Sequence, residues 1–390
     1  MGDSNGDSNI LLDLDVSDDY KWRQIEQILQ SLKLLAYFFL LVLSTVLIFN
    51  ALSLYSISKS THSVPQVESC ENDDENLARP TVVVEVHTPV PKRRQGVDRT
   101  AIYKERLVYI NELNEKSDGV KFGANQFVDW TDEELRELFS QNFDQTIPSP
   151  QDSLFLNLSL SRLRPINMSS VPKSFDWRRK NVLTPIKSQG NCRSDWAFAT
   201  VALVEAATAI AKKTSPVSLS AQELVDCDPY NEGCKGGVAF LALQYAWFKG
   251  LMTEKRYPYK GKAGSCRKNG YDTKIAGMIP LINNETLQTA VVANFSPITV
   301  SFNVTKEFVF YQSGILHPSK EDCKSNDIFG VLTVLIVGYG TSAKGEKYWI
   351  VRQSFGPHWG PANGYFYFVR GENACGIEKI AFGAMVEEGK

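Results

Sequence analysis

The strongest constraint on this 390-residue chain is a change of hydrophobic period inside its last 220 residues. From Ser194 to Lys212, Trp196, Ala197, Val201, Val204, Ala207 and Ile210 recur at helical spacing and make one wide apolar face. Lys212 and Lys213 suit the negative end of that helix. Further along, PITVSFNV, VLTVLIVGYG, KYWIVRQSF and GYFYFVR read as strands, rich in β-branched and aromatic residues and punctuated by glycine. Helices first and strands later over 171–390 predict an α+β fold, a helical lobe and a β-rich lobe with a cleft between them.

Seven cysteines occur, Cys70, Cys192, Cys227, Cys234, Cys266, Cys323 and Cys375, none in a Cys-x-x-Cys pair. That spacing disfavours a zinc knuckle or a dithiol redox site. Six in the C-terminal part and one outlier imply three disulfides and an oxidising compartment, with Cys70 free or linking two chains. A net charge of −2 offers no basic surplus for phosphates, so nucleic acid is not an expected partner. No His/Asp/Glu cluster has metal-ligand spacing, so neither metal nor cofactor is expected.

The N-terminal part divides by composition. Residues 34–56 lie in a stretch without charge, LLAYFFLLVLSTVLIFNALSLY, long enough to span a bilayer. Lys21, Arg23 and Lys33 precede it and only Lys59 follows closely. The positive-inside bias then predicts a single-pass type II membrane protein, with residues 1–33 a cytoplasmic tail and the C-terminal part lumenal or extracellular. The tail holds DSNILL, with the spacing of an acidic dileucine signal, though a solvated acidic tail reads the same way. Residues 57–98, polar and proline-bearing, form a stalk ending near the basic cluster Lys92–Arg94, a processing site or a solvated charge run. In 99–147, Ile102, Tyr103, Leu107, Ile110 and Leu113 follow a helical stripe. Thr131 and Glu134 there have the form of a capping box opening a second helix. Residues 148–170 read as a linker.

In the C-terminal block, VPKSFDWR, TPIKSQGNCRSDWAFA, LVDCD, GCKGG, EKRYPYKG, FYQSGIL, VGYG, the YWIVR-to-GY stretch and ENACGIE occur in one order. Together they make residues 171–390 resemble the papain-like cysteine proteases. GANQFVDWT resembles the Gly-x-Asn-x-Phe-x-Asp element of that family's inhibitory propeptide, at Gly123, Asn125, Phe127 and Asp129. Arg99, Tyr103, Leu107, Ile110 and Asn114 fit the propeptide helix in part, with Arg106 where an asparagine is usual. The resemblance implies three disulfide pairings: Cys192 with Cys234, Cys227 with Cys266, and Cys323 with Cys375.

The same resemblance breaks at the chemistry. A papain-like enzyme needs a thiolate beside an imidazole, with an amide side chain orienting the ring. The nucleophile position falls on Asp195, the histidine position on Leu332 and the asparagine position on Gln353, with Phe355 where a shielding tryptophan is usual. Only Gln189, the oxyanion-hole side chain, keeps its type. The four histidines are His62, His87, His317 and His358, and none falls at the required position. Ser194 has no base to activate it. As a helix-starting carboxylate, Asp195 is expected to find solvent, Arg193 or an amide donor. The expected function is a protease homologue that has lost peptidase activity and whose cleft binds a peptide, a protein, a protease or an inhibitor. The alternative is an active cysteine-type endopeptidase with a non-standard site. Sequons at Asn157, Asn167, Asn284, Asn294 and Asn303 are candidate glycosylation sites, Asn294 weakened by Pro297.

Overall fold

The computed structural model describes residues 94–140, 171–324, 328–360 and 363–387. All of them fall within the unit Val84–Lys390. The chain enters helix α1 (Arg99–Lys116) through an N-cap at Asp98, whose Oδ1 accepts the Ala101 amide at 3.0 Å. Arg106 and Ile110 are the buried residues of α1, with Tyr109 and Leu113 packed beside them, whereas Tyr103 is 41 % exposed. The inward face therefore keeps Ile110 and Leu113 of the apolar stripe and adds Arg106 and Tyr109, while Tyr103 turns outward. The Arg106 guanidinium pairs with Asp132 and lies over the Phe310 ring, and that turns its side of the helix inward.

Strand β1 (Lys121–Phe122) and the short helix α2 (Asp132–Arg136) complete this N-terminal segment. Thr131 Oγ1 accepts the Glu134 amide at 3.1 Å while Glu134 returns a bond to the Thr131 amide at 3.0 Å, the reciprocal capping box expected from the spacing. Glu134 also takes both Arg99 nitrogens, at 2.5 and 2.7 Å, and the guanidinium holds its carboxyl down at about 2.

After β2 (Phe175–Asp176) the helical lobe is built from α3 (Asp195–Lys212), α4 (Ala221–Cys227) and α5 (Ala239–Phe248). Helix α3 is buried on nearly every side from Asp195 to Ala207, so its surroundings are protein all round rather than one wet face. It starts one residue later than the sequence suggests. Ser194 is the N-cap, but its hydroxyl turns away to Tyr259 at 2.7 Å.

The second lobe follows as β3 (Gly277–Ile282), α6 (Glu285–Asn294), β4 (Ile298–Val304), α7 (Lys306–Val309), β5 (Tyr311–Ser313), β6 (Ile315–Leu316), β7 (Gly330–Thr341), β8 (Lys347–Arg352), β9 (Tyr365–Val369) and β10 (Ile380–Met385). Eight strands form one sheet in the order β3-β10-β4-β7-β8-β9-β6, with β2 added on β7. All its pairs are antiparallel except β6 with β9. In β7 the core positions run without interruption from Leu332 to Gly340, because α3 covers one face and β-lobe side chains the other.

Disulfides join Cys192–Cys234, Cys227–Cys266 and Cys323–Cys375. The expected single-pass type II membrane protein is corrected here. Among the described residues no helix is long and apolar enough to cross a membrane. Residues 34–56, like the tail, the linker, Cys70, His62 and His87, lie outside the described residues.

Replacing Cys323 and Cys375 together by serine opens a closure of 52 residues and is expected to cost about 4 kcal/mol on the loop-entropy scale. Denaturant unfolding of the two proteins under non-reducing conditions measures that difference.

Candidate active site

The N-terminus of α3 meets β7 at the bottom of the cleft. Asp195, the first residue of α3, is fully buried, and its Oδ2 accepts the Thr333 backbone amide at 2.7 Å. The donor is thus a backbone amide and not Arg193. Arg193 instead reaches outward, and its Nε donates to the Glu137 carbonyl at 2.8 Å. Asp195 Oδ1 has no hydrogen-bond partner. Burial is the dominant influence on this carboxyl and pushes it up to about 7, against the lowering effect of the Thr333 amide.

Leu332 precedes Thr333 and is also fully buried, paired across the sheet with Phe302. Thr333 itself exchanges a hydroxyl bond with Ser301 at 2.9 Å. Gln353, just past the end of β8, closes a local ring. Its Nε2 donates to the Gly356 carbonyl at 3.0 Å and its Oε1 accepts the Phe355 amide. Gln189 is fully buried, with Oε1 accepting the Ser354 hydroxyl at 2.6 Å and Nε2 donating to the Cys192 carbonyl at 3.2 Å and the Leu138 carbonyl at 3.3 Å. The structure therefore groups Gln189 with Ser354, and Asp195 with Thr333, while Gln353 is satisfied by its own loop.

Neither described histidine bonds any of these groups. His317 is half exposed and pairs with Glu372 at 3.0 Å, and His358 is exposed in its loop. Among the described residues no group of three or more His, Cys, Asp or Glu side chains could hold a metal ion.

The cleft already has an occupant, the end of the described part of the region that the sequence likens to an inhibitory propeptide. Residues 136–140 run along it. The Ser140 amide donates to the Val331 carbonyl at 3.2 Å and the Val331 amide donates back at 2.9 Å, an antiparallel bridge to the start of β7. Phe139, 1 % exposed, stands edge-on to Phe355 with centroids 5.9 Å apart. Phe127 meets the same ring at 5.5 Å, and Gln126 Nε2 donates to the Phe355 carbonyl at 3.1 Å. Nearby, β1 pairs with β5 and Asn125 Nδ2 donates to the Val309 carbonyl at 2.7 Å.

The sequons also differ in setting. Asn284 is exposed and caps α6 through Oδ1, accepting the Leu287 amide. Asn294 is exposed with Nδ2 on the Ala290 carbonyl, whereas Asn303 is half-buried with Nδ2 on the Cys323 carbonyl. Asn157 and Asn167 lie outside the described residues.

Phe139→Ala is expected to destabilise the protein by about 3 kcal/mol or more, because it removes a ring from a closed aromatic cluster. Chemical denaturation measures the loss.

Known proteins place these features. The sequence profile of the papain family cysteine proteases matches residues 171–385, and that of the cathepsin propeptide inhibitor domain matches residues 92–135. Bovine (Bos taurus) pro-cathepsin H is 35% identical over 73% of this chain and 82% of its own length. The germination-specific cysteine protease 1 of Arabidopsis thaliana is 38% identical over 72% of this chain and 75% of its own. Among solved structures, the digestive procathepsin L2 proteinase of Tenebrio molitor larval midgut superposes with a TM-score of 0.64 at 30% identity, covering 75% of this chain and 96% of that one. The recombinant stem bromelain precursor gives a TM-score of 0.63 at 30% identity, covering 74% and 91%. The chain belongs to the papain family of cysteine proteases and carries that family's propeptide inhibitor domain ahead of the protease fold.

Proposed function

We propose that this chain is a protease homologue without peptidase activity, whose cleft is kept as a binding surface for a peptide or protein segment. The observation that carries the reading is the state of Asp195. A papain-type mechanism starts from an exposed thiolate paired with an imidazole. Here the first position of α3 bears a carboxyl with 0% exposure, bonded to a backbone amide and flanked on β7 by Leu332. No base touches it. Loss of both nucleophile and base removes on the order of 10⁶ in turnover, so what stays is a shaped groove.

The groove's chemistry fits an extended peptide. The start of β7 offers the Val331 amide and carbonyl to a strand, which Ser140 now takes. The Phe355 ring offers an aromatic wall, now covered by Phe127 and Phe139. Strand addition of this kind draws affinity from main-chain bonds and specificity from side-chain pockets. We place the propeptide-like region at 99–147 with a linker at 148–170, although the matched inhibitor profile starts earlier, at residue 92. Arg94 belongs with it, since its amide and guanidinium bond Glu134 and Glu137. Of the sequons described, Asn284 is the one whose Nδ2 is left free while Oδ1 keeps its cap, so we assign it as the glycosylation site to examine first.

The test is direct. Wild type, freed of residues before 171, should show no labelling by a thiol-directed peptide probe and no turnover of a peptide library. The triple variant Asp195→Cys, Leu332→His, Gln353→Asn should gain both if the groove is still aligned for substrate. Wild-type turnover that disappears in Asp195→Ala would overturn the proposal.

A further inference from the structure

The loop that follows helix α5 concentrates positive charge. Residues 249–274 hold eight of the chain's 42 lysines and arginines but two of its 44 acids, a surplus of +6 in a chain whose sum is −2. Lys268 is turned inward, to Glu223 and the Gly250 carbonyl, and Arg256 is neutralised by Asp272. Lys249, Lys255, Lys260, Lys262, Arg267 and Lys274 are exposed, and none pairs with a carboxylate among the described residues.

The fold holds these six on one loop surface. Leu251 and Thr273 exchange backbone bonds at 2.7 and 3.0 Å, an antiparallel bridge with Lys249 and Lys274 at the same end. Arg256 reaches Asp272 and the Asn269 carbonyl, which brings Lys255 against the returning half of the loop. The Arg267 amide donates to the Tyr257 hydroxyl at 3.2 Å, and its guanidinium covers that ring 5.3 Å from the centroid. Gln222 of α4 accepts the Lys260 amide at 2.7 Å and donates to the Lys262 carbonyl at 2.8 Å. The Cys227–Cys266 disulfide and the Asp226 bond to the Gly264 amide pin the far end to the same helix. Like charges crowded in this way repel one another and work against the folded state.

We propose that this loop is a docking surface for an extended sulfated polysaccharide. It stands apart from Asp195, Leu332 and the Phe355 wall, so it holds whether or not the domain cleaves peptides. The six cations are spread along an open loop, which suits a polymer of anions and not one small ion. Five of them are lysines, point charges on flexible stems that follow separate sulfates. A site built for one carboxylate or phosphate favours the planar fork of arginine instead. Phe248 and Tyr271, 52 % and 56 % exposed, flank the Lys249 end and offer ring surface to the C–H face of a pyranose. Three disulfides belong to an oxidising compartment, where polyanions are carbohydrate more than nucleic acid. Binding relieves the repulsion among the six and releases the polymer's counterions.

The measurement is binding of a fluorescent heparin oligosaccharide to the full chain, by anisotropy at neutral pH from about 0.05 to 0.3 M salt. Wild type is expected to bind, with log affinity falling linearly against log salt. Lys255→Glu, Lys260→Glu and Lys262→Glu together should weaken binding at least about tenfold near 0.15 M salt and flatten that slope. Glutamine at the same three positions should give a smaller loss, which separates lost attraction from misfolding. Lys173→Glu, Lys320→Glu and Lys379→Glu, at exposed lysines elsewhere, change the net charge equally and should leave affinity within about twofold. No binding by wild type near 0.15 M salt, or an equal loss in this second protein, overturns the proposal. So does duplex DNA, or a vesicle of anionic phospholipid, held as tightly as heparin at equal anion concentration.

Discussion

The contact between α3 and β7 organises everything else in the described molecule. A helix buried on nearly all sides must be enclosed by protein, and β7, apolar from Leu332 to Val337, supplies the wall it needs. Because α3 begins at the sheet, its first residue lands at the junction of the lobes, where the cleft has its floor. Any side chain there faces two demands at once. It must satisfy the start of a helix, and it must tolerate the apolar flank of a core strand.

A carboxyl meets the first demand well and the second poorly. Burying an unpaired carboxylate costs far more than one amide bond returns, so the group stays protonated toward neutral pH. The Thr333 amide shows how the chain reconciles the two: it gives one oxygen a donor and leaves the other empty.

Elements with strong periodicity or strong local chemistry were legible in the sequence. The apolar spacing from Trp196 onward gives α3, and the β-branched runs give β4, β7 and β9 within a residue or two and the start of β8, which ends three residues before its run does. The Thr131–Glu134 spacing gives α2 through a reciprocal bond that needs no tertiary partner. What escaped depended on contacts distant in sequence. Arg106 stood out only as a departure from the family's usual asparagine, yet it is 3 % exposed because Asp132 and Phe310 meet it across the fold. Strands β3 and β10 carry little alternation, since both of their faces are covered. Arg193 could have served Asp195 by proximity along the chain, but the main chain turns it toward Glu137. The Ser140–Val331 bridge spans most of two lobes in sequence and has no side-chain signature at all.

Much of the polar anchoring of the fold lies away from the family's reaction centre. In the helical lobe, buried Glu205 takes Lys187, the Thr184 hydroxyl and the Leu219 amide, and buried Glu223 takes Lys268, Tyr245 and the Met252 amide. In the β lobe, Glu378 gathers Trp349 and the amides of Gly371 and Asn373. Each is a buried acid whose oxygens are met by several donors, the arrangement under which buried charge is tolerated. None involves Asp195, Leu332 or Gln353. Three disulfides lie outside that trio as well. These polar anchors of the two lobes thus do not pass through the family's reaction-centre positions. At those positions leucine is buried in the seam, glutamine closes on its own loop, and aspartate takes the Thr333 amide while burial pushes its carboxyl up to about 7.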